Sequence, residues 1–244
     1  MYLIEIGGYW DKRARGYSQT IHKQLASREY EYYRGVLREN APAAGSLDCL
    51  DIGCGPGFFS ILLAQDGHNV TAVDCSEGML KQAKANFEEM AVSVKTALGD
   101  AQSLPFTDNS FDYIVSRDMV WNLEQPEAAY KEWLRILKPG GRMLVMDGNY
   151  YLFYYDEDYS FVRGHIREDI EHHDSFGVDP IPINEIARHL PLSKQRRPYW
   201  DMETLLKLGA ERMNVDVDRS VYKDQKTGEE RSVIQGFALC AQKP

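Results

Sequence analysis

A short apolar run that ends in an acid and three alternating glycines constrains the fold of this chain most strongly. The run is Leu50-Asp51-Ile52-Gly53-Cys54-Gly55-Pro56-Gly57-Phe58, and a further apolar segment follows it. The pattern predicts a buried strand, a tight turn and then a helix. Glycine has no Cβ, so a ligand can lie against the backbone of the turn, and the helix N-terminus beyond it favours a negative group. The loop at 53–57 is therefore predicted to hold a small charged cofactor.

Strands and helices alternate on from this loop. The predicted strands are 47–52, 69–74, 92–97, 111–116 and 142–147, and the predicted helices between them are 57–66, 76–89 and 126–137, with Ser76 as an N-cap and a turn at 138–141. Two later segments, 213–217 and 232–241, are predicted to pair as an antiparallel end to the sheet. The alternation indicates an α/β fold with a doubly wound, mostly parallel sheet of seven strands.

The segments outside this alternation predict a lid and a cap. Apolar residues recur at helical spacing over 9–39, and a linker rich in Ala, Pro and Gly follows, so residues 1–45 are predicted to form an amino-terminal helical lid. Residues 46–244 would form the main domain, interrupted after the fifth strand by an aromatic-rich cap insertion at about 148–200. A helix is predicted to resume at about 201–208, with Asp201 as its N-cap.

Composition limits the partners and the compartment. The 244 residues carry a formal net charge of −9 without a long basic run, which argues against nucleic acid or an anionic membrane as the main partner. No apolar stretch reaches the length of a membrane span, and the first ten residues do not resemble a signal peptide. The four cysteines form no CxxC pair. We therefore expect a cytoplasmic protein, either a monomer or a homodimer.

Two common kinds of cofactor loop do not match the spacing of the glycines. A dinucleotide fingerprint requires a third glycine three residues after the second, and that position is Phe58. A phosphate-cradling loop requires GxxxxGK[ST], and the chain contains no such run. Neither of these two loops therefore matches residues 53–57.

Several motifs, taken in order, resemble class I S-adenosylmethionine-dependent methyltransferases. Asp51-Ile52-Gly53-Cys54-Gly55-Pro56-Gly57 is similar to the first motif of that family, and Val73-Asp74-Cys75-Ser76-Glu77-Gly78-Met79-Leu80 to the second. Gly99-Asp100-Ala101, Leu104-Pro105-Phe106 and the run 110–116 resemble the third and fourth motifs, and 134–141 resembles the run before the fifth strand. The resemblance covers roughly residues 47–147, and the ordered set is far more specific than any single motif.

The resemblance implies S-adenosylmethionine as the cofactor and S-adenosylhomocysteine as the product. Asp74 would accept both ribose hydroxyls, because one carboxylate has two acceptor oxygens. Asp100 would accept the adenine amino group, Asp51 would place the amino end, and Arg13 of the lid would meet the carboxylate. The predicted cofactor-binding residues are Tyr9, Trp10, Arg13, Tyr17, Asp51, Gly53, Cys54, Gly55, Gly57, Phe58, Asp74, Cys75, Met79, Asp100, Ala101, Arg117 and Asp118.

Structural roles compete with several of these assignments. Cys75 and Met79 would serve equally well as core residues. The lid would also suit an amphipathic helix packed on the sheet edge, and Arg117 and Asp118 would suit a solvated loop.

The methyl acceptor is expected in the insertion, because open α/β sheets bind ligands over the carboxyl ends of their strands. Its aromatic residues suit a flat or apolar acceptor or a cation, and they also suit a small core of the insertion itself. The predicted substrate-binding residues are Trp121, Tyr150, Tyr154 and Arg197, and the candidate bases are His165, His172, His173 and Asp147. The histidines would share a helix face that is alternatively a solvated surface. No metal motif such as HExxH is present, and no metal is predicted.

Three functions from different classes follow from these patterns. The first is methyl transfer from S-adenosylmethionine to an O, N or S atom of a small molecule. The second is a module that binds the same cofactor as a sensor or for structure, without transfer. The third, a nicotinamide oxidoreductase, is disfavoured by Phe58. The acidic charge and the size of the insertion favour a small-molecule partner over nucleic acid.

Overall fold

A computed structural model describes residues 2–43, 45–165 and 177–244, except for the side chain of residue 165. The described helices are α1 (Leu3–Leu25), α2 (Arg28–Asn40), α3 (Phe58–Gln65), α4 (Glu77–Glu89), α5 (Pro126–Ile136), α6 (Glu157–His165), α7 (Ile181–His189) and α8 (Tyr199–Lys207). The described strands are β1 (Asp48–Ile52), β2 (Asn69–Asp74), β3 (Val94–Leu98), β4 (Phe111–Arg117), β5 (Leu137–Gly148), β6 (Arg212–Lys223) and β7 (Glu230–Gln242). Short 3-10 turns lie at Val120–Asn122, Leu152–Tyr154 and Pro191–Lys194.

The strands form one seven-stranded sheet in the order β3-β2-β1-β4-β5-β7-β6. Strands β1 to β5 are parallel, and β7 is antiparallel to both of its neighbours, β5 and β6. This confirms the predicted doubly wound α/β sheet with an antiparallel final strand. The strand order reverses at β1, which lies between β2 and β4. In open α/β sheets such a reversal leaves a crevice at the carboxyl ends of the strands.

Alternate side chains of β1 enter two different apolar clusters, as the two faces of a strand require. Leu50 and Ile52 pack in a cluster with Trp133 of α5, whereas Cys49 packs in a cluster with Phe58 of α3. Both faces of the sheet are therefore covered by helices. The carboxyl ends of the strands are left as the place where polar residues can meet a ligand.

The helical segment predicted over 9–39 consists of two helices and begins earlier than predicted. Helix α1 already begins at Leu3, although Gly7 and Gly8 lower the helix propensity of its first turns. The chain then breaks after Leu25, and Ser27 begins α2 by accepting a hydrogen bond from the N–H of Glu29 on its side chain. Helix α1 packs against α4, and α2 packs against α3.

Three boundaries near the carboxyl end also differ from the prediction. Strand β5 begins at Leu137 rather than at 142, because the predicted turn at 138–141 is part of the strand. The pairing between β5 and β4 is irregular over this stretch. Strand β6 extends to Lys223 as half of a long hairpin with β7. Asp201 is not an N-cap: α8 begins at Tyr199, and the Asp201 side chain is buried in an ion pair.

The insertion contributes α6, α7 and two of the 3-10 turns. Ile183 and Ile186 of α7 pack in one apolar cluster with Ile6 and Tyr9 of α1 and with Trp121. The lid helix and the insertion therefore contact each other directly beside the carboxyl ends of the strands. Among the described helices, none is both long and apolar enough to cross a membrane.

Candidate functional site

A cleft lies at the carboxyl ends of β1, β2 and β4, between the glycine loop and α1. It encloses about 1010 Å³ of space, including solvent at its mouth. Gly53 and Gly55 form its floor with φ values of +67° and +51°, which residues with a side chain rarely adopt. A Cβ at Gly53 would lie 2.3 Å from Cγ of Met119, so glycine is required at this position.

Asp74, at the end of β2, connects two turns that line the cleft. Its Oδ2 accepts a hydrogen bond from the N–H of Gly55, with N···O 2.8 Å, and its Oδ1 accepts one from the N–H of Ser76 at 2.9 Å. Each oxygen keeps a second lone pair. Burial raises the pKa of this carboxyl to about 6, opposed by the two backbone hydrogen bonds.

Two further carboxyl groups that line the cleft are held by local hydrogen bonds. Asp51 accepts the Ser60 hydroxyl at 2.6 Å, and burial raises its pKa to about 6. Asp100 accepts the backbone N–H of Gln102 at 2.9 Å and also its side-chain amide. The carbonyl of Ala101 accepts the indole N–H of Trp133 at 2.8 Å, which fixes the backbone next to Asp100.

The lid helix α1 closes one side of the cleft with Trp10 and Tyr17, whose rings pack edge to face at 6.0 Å between centroids. Asp11 anchors the helix, because its Oδ1 accepts the hydroxyl of Ser76 at 2.5 Å and the N–H of Gly78 at 2.8 Å. The lid is therefore tied to the same turn that holds Asp74. No pattern in the sequence predicts this link between Asp11 and the turn after β2.

Arg117 ends β4 with its guanidinium among aromatic rings. The group lies 4.8 Å from the ring centre of Phe58, 5.2 Å from that of Phe59 and 5.0 Å from that of Tyr33. One nitrogen donates to Gln24 at 3.2 Å, whereas the buried Nη1 has no hydrogen-bond partner among the described residues. A buried donor without a partner is costly, and a ligand with an anionic oxygen would satisfy it.

Asp118 follows Arg117 in a strained backbone conformation, with φ +54°. Its Oδ1 accepts the phenol O–H of Tyr150, and its backbone carbonyl accepts the indole N–H of Trp121 at 2.9 Å. The ring of Tyr150 fits there because residue 148 is glycine: a Cβ at Gly148 would lie 2.8 Å from it. Tyr150 and Trp121 thus hold Asp118 in place from outside the cleft.

A second charged group lies behind this site, fully buried. Arg197 is only 1% exposed and donates to Asp147 at 2.7 Å and to Asp201 at 2.6 Å. Burial raises the pKa of Asp147 to about 6, although Arg197 opposes the shift. Asp147 also accepts the backbone N–H of Trp121 at 2.9 Å. Both side chains serve the packing of the insertion on β5.

Several known proteins similar to this chain are named as methyltransferases. Residues 50–145 match the family model described as a methyltransferase domain. A demethylmenaquinone methyltransferase of Staphylococcus aureus is 32% identical over 130 residues, which are 52% of this chain and 54% of that protein. A malonyl-[acyl-carrier protein] O-methyltransferase of Erwinia pyrifoliae is 36% identical over 140 residues, 52% of each protein. The chain thus spans about half the length of the curated relatives it matches.

A solved structure covers most of the fold. A protein of Methanococcus maripaludis, described as an S-adenosyl-L-methionine-dependent methyltransferase, matches with a TM-score of 0.61 at 21% identity, over 96% of this chain and 94% of that one. Residues 50–145 form a methyltransferase domain. The remaining segments, including α1 and the insertion, surround this methyltransferase domain.

The methyltransferase domain and the lid bring most of the predicted cofactor-binding residues together. Of the 17, all but Tyr9, Arg13 and Gly57 line the cleft. Arg13 instead donates to the hydroxyl of Tyr9 at 3.0 Å, beside the cleft. Gly57 starts α3 and packs under the ring of Phe87, where a Cβ would lie 2.4 Å from that ring. The positions of Tyr9, Arg13 and Gly57 therefore do not support the predicted contacts of these residues with a cofactor.

None of the four predicted substrate-binding residues lines the cleft of the methyltransferase domain. Trp121 and Tyr150 contact Asp118 from behind, and Arg197 is enclosed with Asp147. The ring of Tyr154 stacks under the guanidinium of Arg188 at 4.3 Å. The side chain of His165, and all of His172 and His173, lie outside the described residues. Within the described part of the chain, no group of three potential metal ligands occurs.

The cleft also contains residues that sequence reasoning missed. Ile6 and Ile21 of α1 line it at helical spacing around Trp10 and Tyr17; an earlier start for the helix would have included Ile6, whereas Ile21 belongs to the predicted helical pattern but was not assigned to the site. Met119, Asn122 and Glu124 line it from the segment after β4. The Oδ1 atom of Asn122 is buried with no hydrogen-bond partner in the described structure.

Proposed function

We propose that the chain catalyses methyl transfer from S-adenosylmethionine to a small-molecule acceptor. When bound, this cofactor supplies an activated methyl group on a sulfonium. The observation that carries the proposal is the cleft itself, in which the glycine loop, Asp74 and Asp100 meet at the switch point of a methyltransferase fold. The protein would bind both reactants, align them and exclude water.

The residues of the cleft fit this cofactor chemically. Asp74 retains one free lone pair on each oxygen for the two hydroxyls of a ribose. Asp100 lies across the cleft as an acceptor for an adenine amino group, and Asp51 as a partner for the ammonium group. Arg117 lines the cleft and its Nη1 has no hydrogen-bond partner in the described structure, whereas Arg13 does not line the cleft, so we assign the carboxylate of the cofactor to Arg117 rather than to Arg13. The contact surface for the sulfur and methyl group would come from the glycine loop and Met119.

The lid and the insertion have supporting roles in this proposal. Helix α1, as the first part of a lid over 1–45, would cover the bound cofactor through Trp10 and Tyr17. The insertion packs on that helix and would restrict the acceptor to a size that fits beneath both. All four cysteines are free, which accords with a reducing compartment, and we propose a cytoplasmic location.

Two measurements test the proposal with the full chain. Calorimetry with S-adenosylhomocysteine measures cofactor binding, and transfer of a labelled methyl group to a panel of small molecules measures turnover. We expect saturable binding and transfer to at least one acceptor class, with a reaction lacking acceptor as the blank. Binding without transfer across the panel would instead indicate a sensor. Preferential binding of a nicotinamide dinucleotide would contradict the cofactor assignment.

A further inference from the structure

The charge of the cleft is unbalanced even after the cofactor is counted. Five carboxyl groups line it, those of Asp51, Asp74, Asp100, Asp118 and Glu124, against the single guanidinium of Arg117 among the described lining residues. At neutral pH the cofactor contributes an ammonium, a sulfonium and a carboxylate, a net charge of about +1. An anionic acceptor would meet a strongly repulsive field in this cleft, whereas a cationic or amine acceptor would be attracted.

Asp118 is a carboxylate of the cleft to which the proposed function assigns no contact with the cofactor. The proposed function assigns Asp51, Asp74 and Asp100 each to a different part of the cofactor, and Glu124 accepts the N–H of Leu3 at 3.2 Å. Oδ1 of Asp118 accepts from Tyr150, and Oδ2 forms an ion pair with Nε of Arg117 at 3.7 Å, which is too long for a hydrogen bond. With its side chain 31% exposed, Asp118 presents an acceptor oxygen to the cleft.

Asn122 provides a second, independent sign of a missing donor. The residue is 8% exposed and lines the cleft, and its Oδ1 atom has no hydrogen-bond partner in the described structure. Asp118 and Asn122 are four residues apart, and Asn122 is the last residue of the 3-10 turn Val120–Asn122. Two acceptor oxygens call for a ligand group with more than one N–H, and a primary amine, or a secondary amine in its ammonium form, has that number of donors.

We propose that the methyl acceptor is a small molecule with a primary or secondary amine, and that Asp118 contacts its nitrogen. This inference rests on the proposed function. As the nitrogen lone pair forms the bond to the methyl carbon, the carbon–sulfur bond breaks and sulfur keeps its electron pair. An acceptor that binds as an ammonium first gives one proton to the carboxylate of Asp118, which passes it to water and so frees that lone pair; the methylated nitrogen then leaves as an ammonium. Tyr150 is a positioning residue, because its hydroxyl donates to Asp118 and its side chain does not line the cleft.

The backbone of Asp118 makes an informative variant available. Among residues with a side chain, asparagine is one of those that best tolerate a positive φ, so Asp118→Asn keeps the fold while it removes the charge and replaces one acceptor oxygen by an N–H₂ group. We expect it to lower kcat/KM for amines about 100-fold or more, since a positioned base contributes roughly that much. The Kd of S-adenosylhomocysteine, measured by calorimetry, should change less than about threefold. Asp216→Asn, on exposed β6, is the matched control and should change neither.

The acceptor class is tested with matched probes. Alkyl and aryl amines such as ethanolamine and phenethylamine are compared with phenethyl alcohol, a phenol and phenylacetate, both as methyl acceptors and as ligands of the protein saturated with S-adenosylhomocysteine. We expect only amines to be methylated and only amines to bind, with binding weakened at least tenfold by Asp118→Asn. Tyr150→Phe keeps the carboxylate, and we expect it to lower kcat/KM about tenfold without altering cofactor affinity.

Three outcomes would overturn the inference. Transfer to alcohols, phenols or carboxylates but not amines would refute the acceptor class and leave methyl transfer standing. A loss of cofactor affinity in Asp118→Asn would assign Asp118 to the cofactor instead. Binding of the cofactor without transfer to any probe would refute the proposed function together with this inference.

Discussion

Asp74 accepts a hydrogen bond from the backbone N–H of Gly55, with an N···O distance of 2.8 Å. The bond joins the end of β2 to the glycine loop that follows β1. Because Asp74 also accepts the N–H of Ser76, one carboxylate sets the positions of two turns. Ser76 in turn donates to Asp11 of the lid helix. The walls of the cleft nearest the proposed ribose site are thus linked through a single side chain.

Replacement of Asp74 by asparagine tests this arrangement. The amide keeps one acceptor oxygen but turns an N–H₂ group toward a backbone N–H, so one hydrogen bond is lost as well as the charge. We expect a loss of about 1.5–3 kcal/mol in binding of S-adenosylhomocysteine, or roughly 10- to 100-fold in Kd. Calorimetry measures it, and Asp216→Asn on the exposed edge strand controls for the loss of a charge. Equal Kd values in the two variants would exclude Asp74 from the ribose site.

Cofactor affinity should depend on pH through the same group. Hydroxyl donors favour the ionised carboxylate, so the pKa of Asp74, about 6 in the free protein, should fall on binding. Affinity should therefore rise as the pH increases through about 6 and then level off. Asp51, whose pKa is also raised to about 6, adds to the rise if it meets the ammonium group.

Calorimetry between about pH 5 and pH 7 measures this dependence, because the amino group of the ligand stays protonated in that range. Asp74→Asn should flatten part of the slope and leave the part due to Asp51. A slope unchanged by the substitution would mean that Asp74 does not titrate on binding.

Local signals in the sequence were sufficient for the centre of the site. Asp74 and Ser76 lie at a strand end followed by an N-cap, and the glycines at 53, 55 and 57 follow a buried strand. These features depend on neighbours a few residues away, so the pattern alone predicts them. The order of these motifs along the chain also predicts the topology of the sheet, because alternating strands and helices are compatible with few topologies.

Contacts distant in sequence account for what the sequence did not reveal. Tyr150 reaches Asp118 across 32 residues, and nothing local distinguishes it from the other tyrosines of the insertion. Arg197 follows Arg196 and Lys194, a run that is typical of an exposed basic cluster. It is buried because Asp147, 50 residues earlier, and Asp201 lie around it. No periodic pattern in the sequence predicts that Arg197 lies between these two aspartates.

Alanine substitutions at Gly53 and Gly67 distinguish the cost of backbone strain from the cost of steric overlap. Both have positive φ, +67° and +86°, so alanine at either should cost about 1–2 kcal/mol in the free energy of unfolding. Around Gly67 a Cβ would meet no atom within 4 Å, whereas at Gly53 it would lie 2.3 Å from Cγ of Met119. Gly53→Ala should therefore cost about 1–3 kcal/mol more and weaken cofactor binding.

Urea unfolding of the two alanine variants gives the comparison, and calorimetry with S-adenosylhomocysteine adds the effect on the cleft. Gly67→Ala lies far from the lining residues and should bind normally. Equal losses of stability in both variants would show that Met119 moves aside at no cost.

The neighbours Arg196 and Arg197 form a matched pair, because each bonds two aspartates and only the burial differs. Arg197 is 1% exposed between Asp147 and Asp201, whereas Arg196 is 53% exposed beside Asp156 and Asp158. Arg197→Met would leave two buried carboxylates without their cation and should cost about 3–5 kcal/mol in the free energy of unfolding. Arg196→Met should cost less than about 1 kcal/mol, because water already screens the pair.

The pH dependence of the loss tests its electrostatic origin. Without Arg197 the pKa of Asp147 should rise further above its free-protein value of about 6, since the guanidinium is the group that opposes desolvation. The folded state would then bind more protons than the unfolded state over a wider range, so the deficit should grow as pH rises and shrink as pH falls. Urea unfolding at about pH 5 and about pH 8 measures it. A deficit of the same size at both pH values would indicate lost packing instead of unpaired charge.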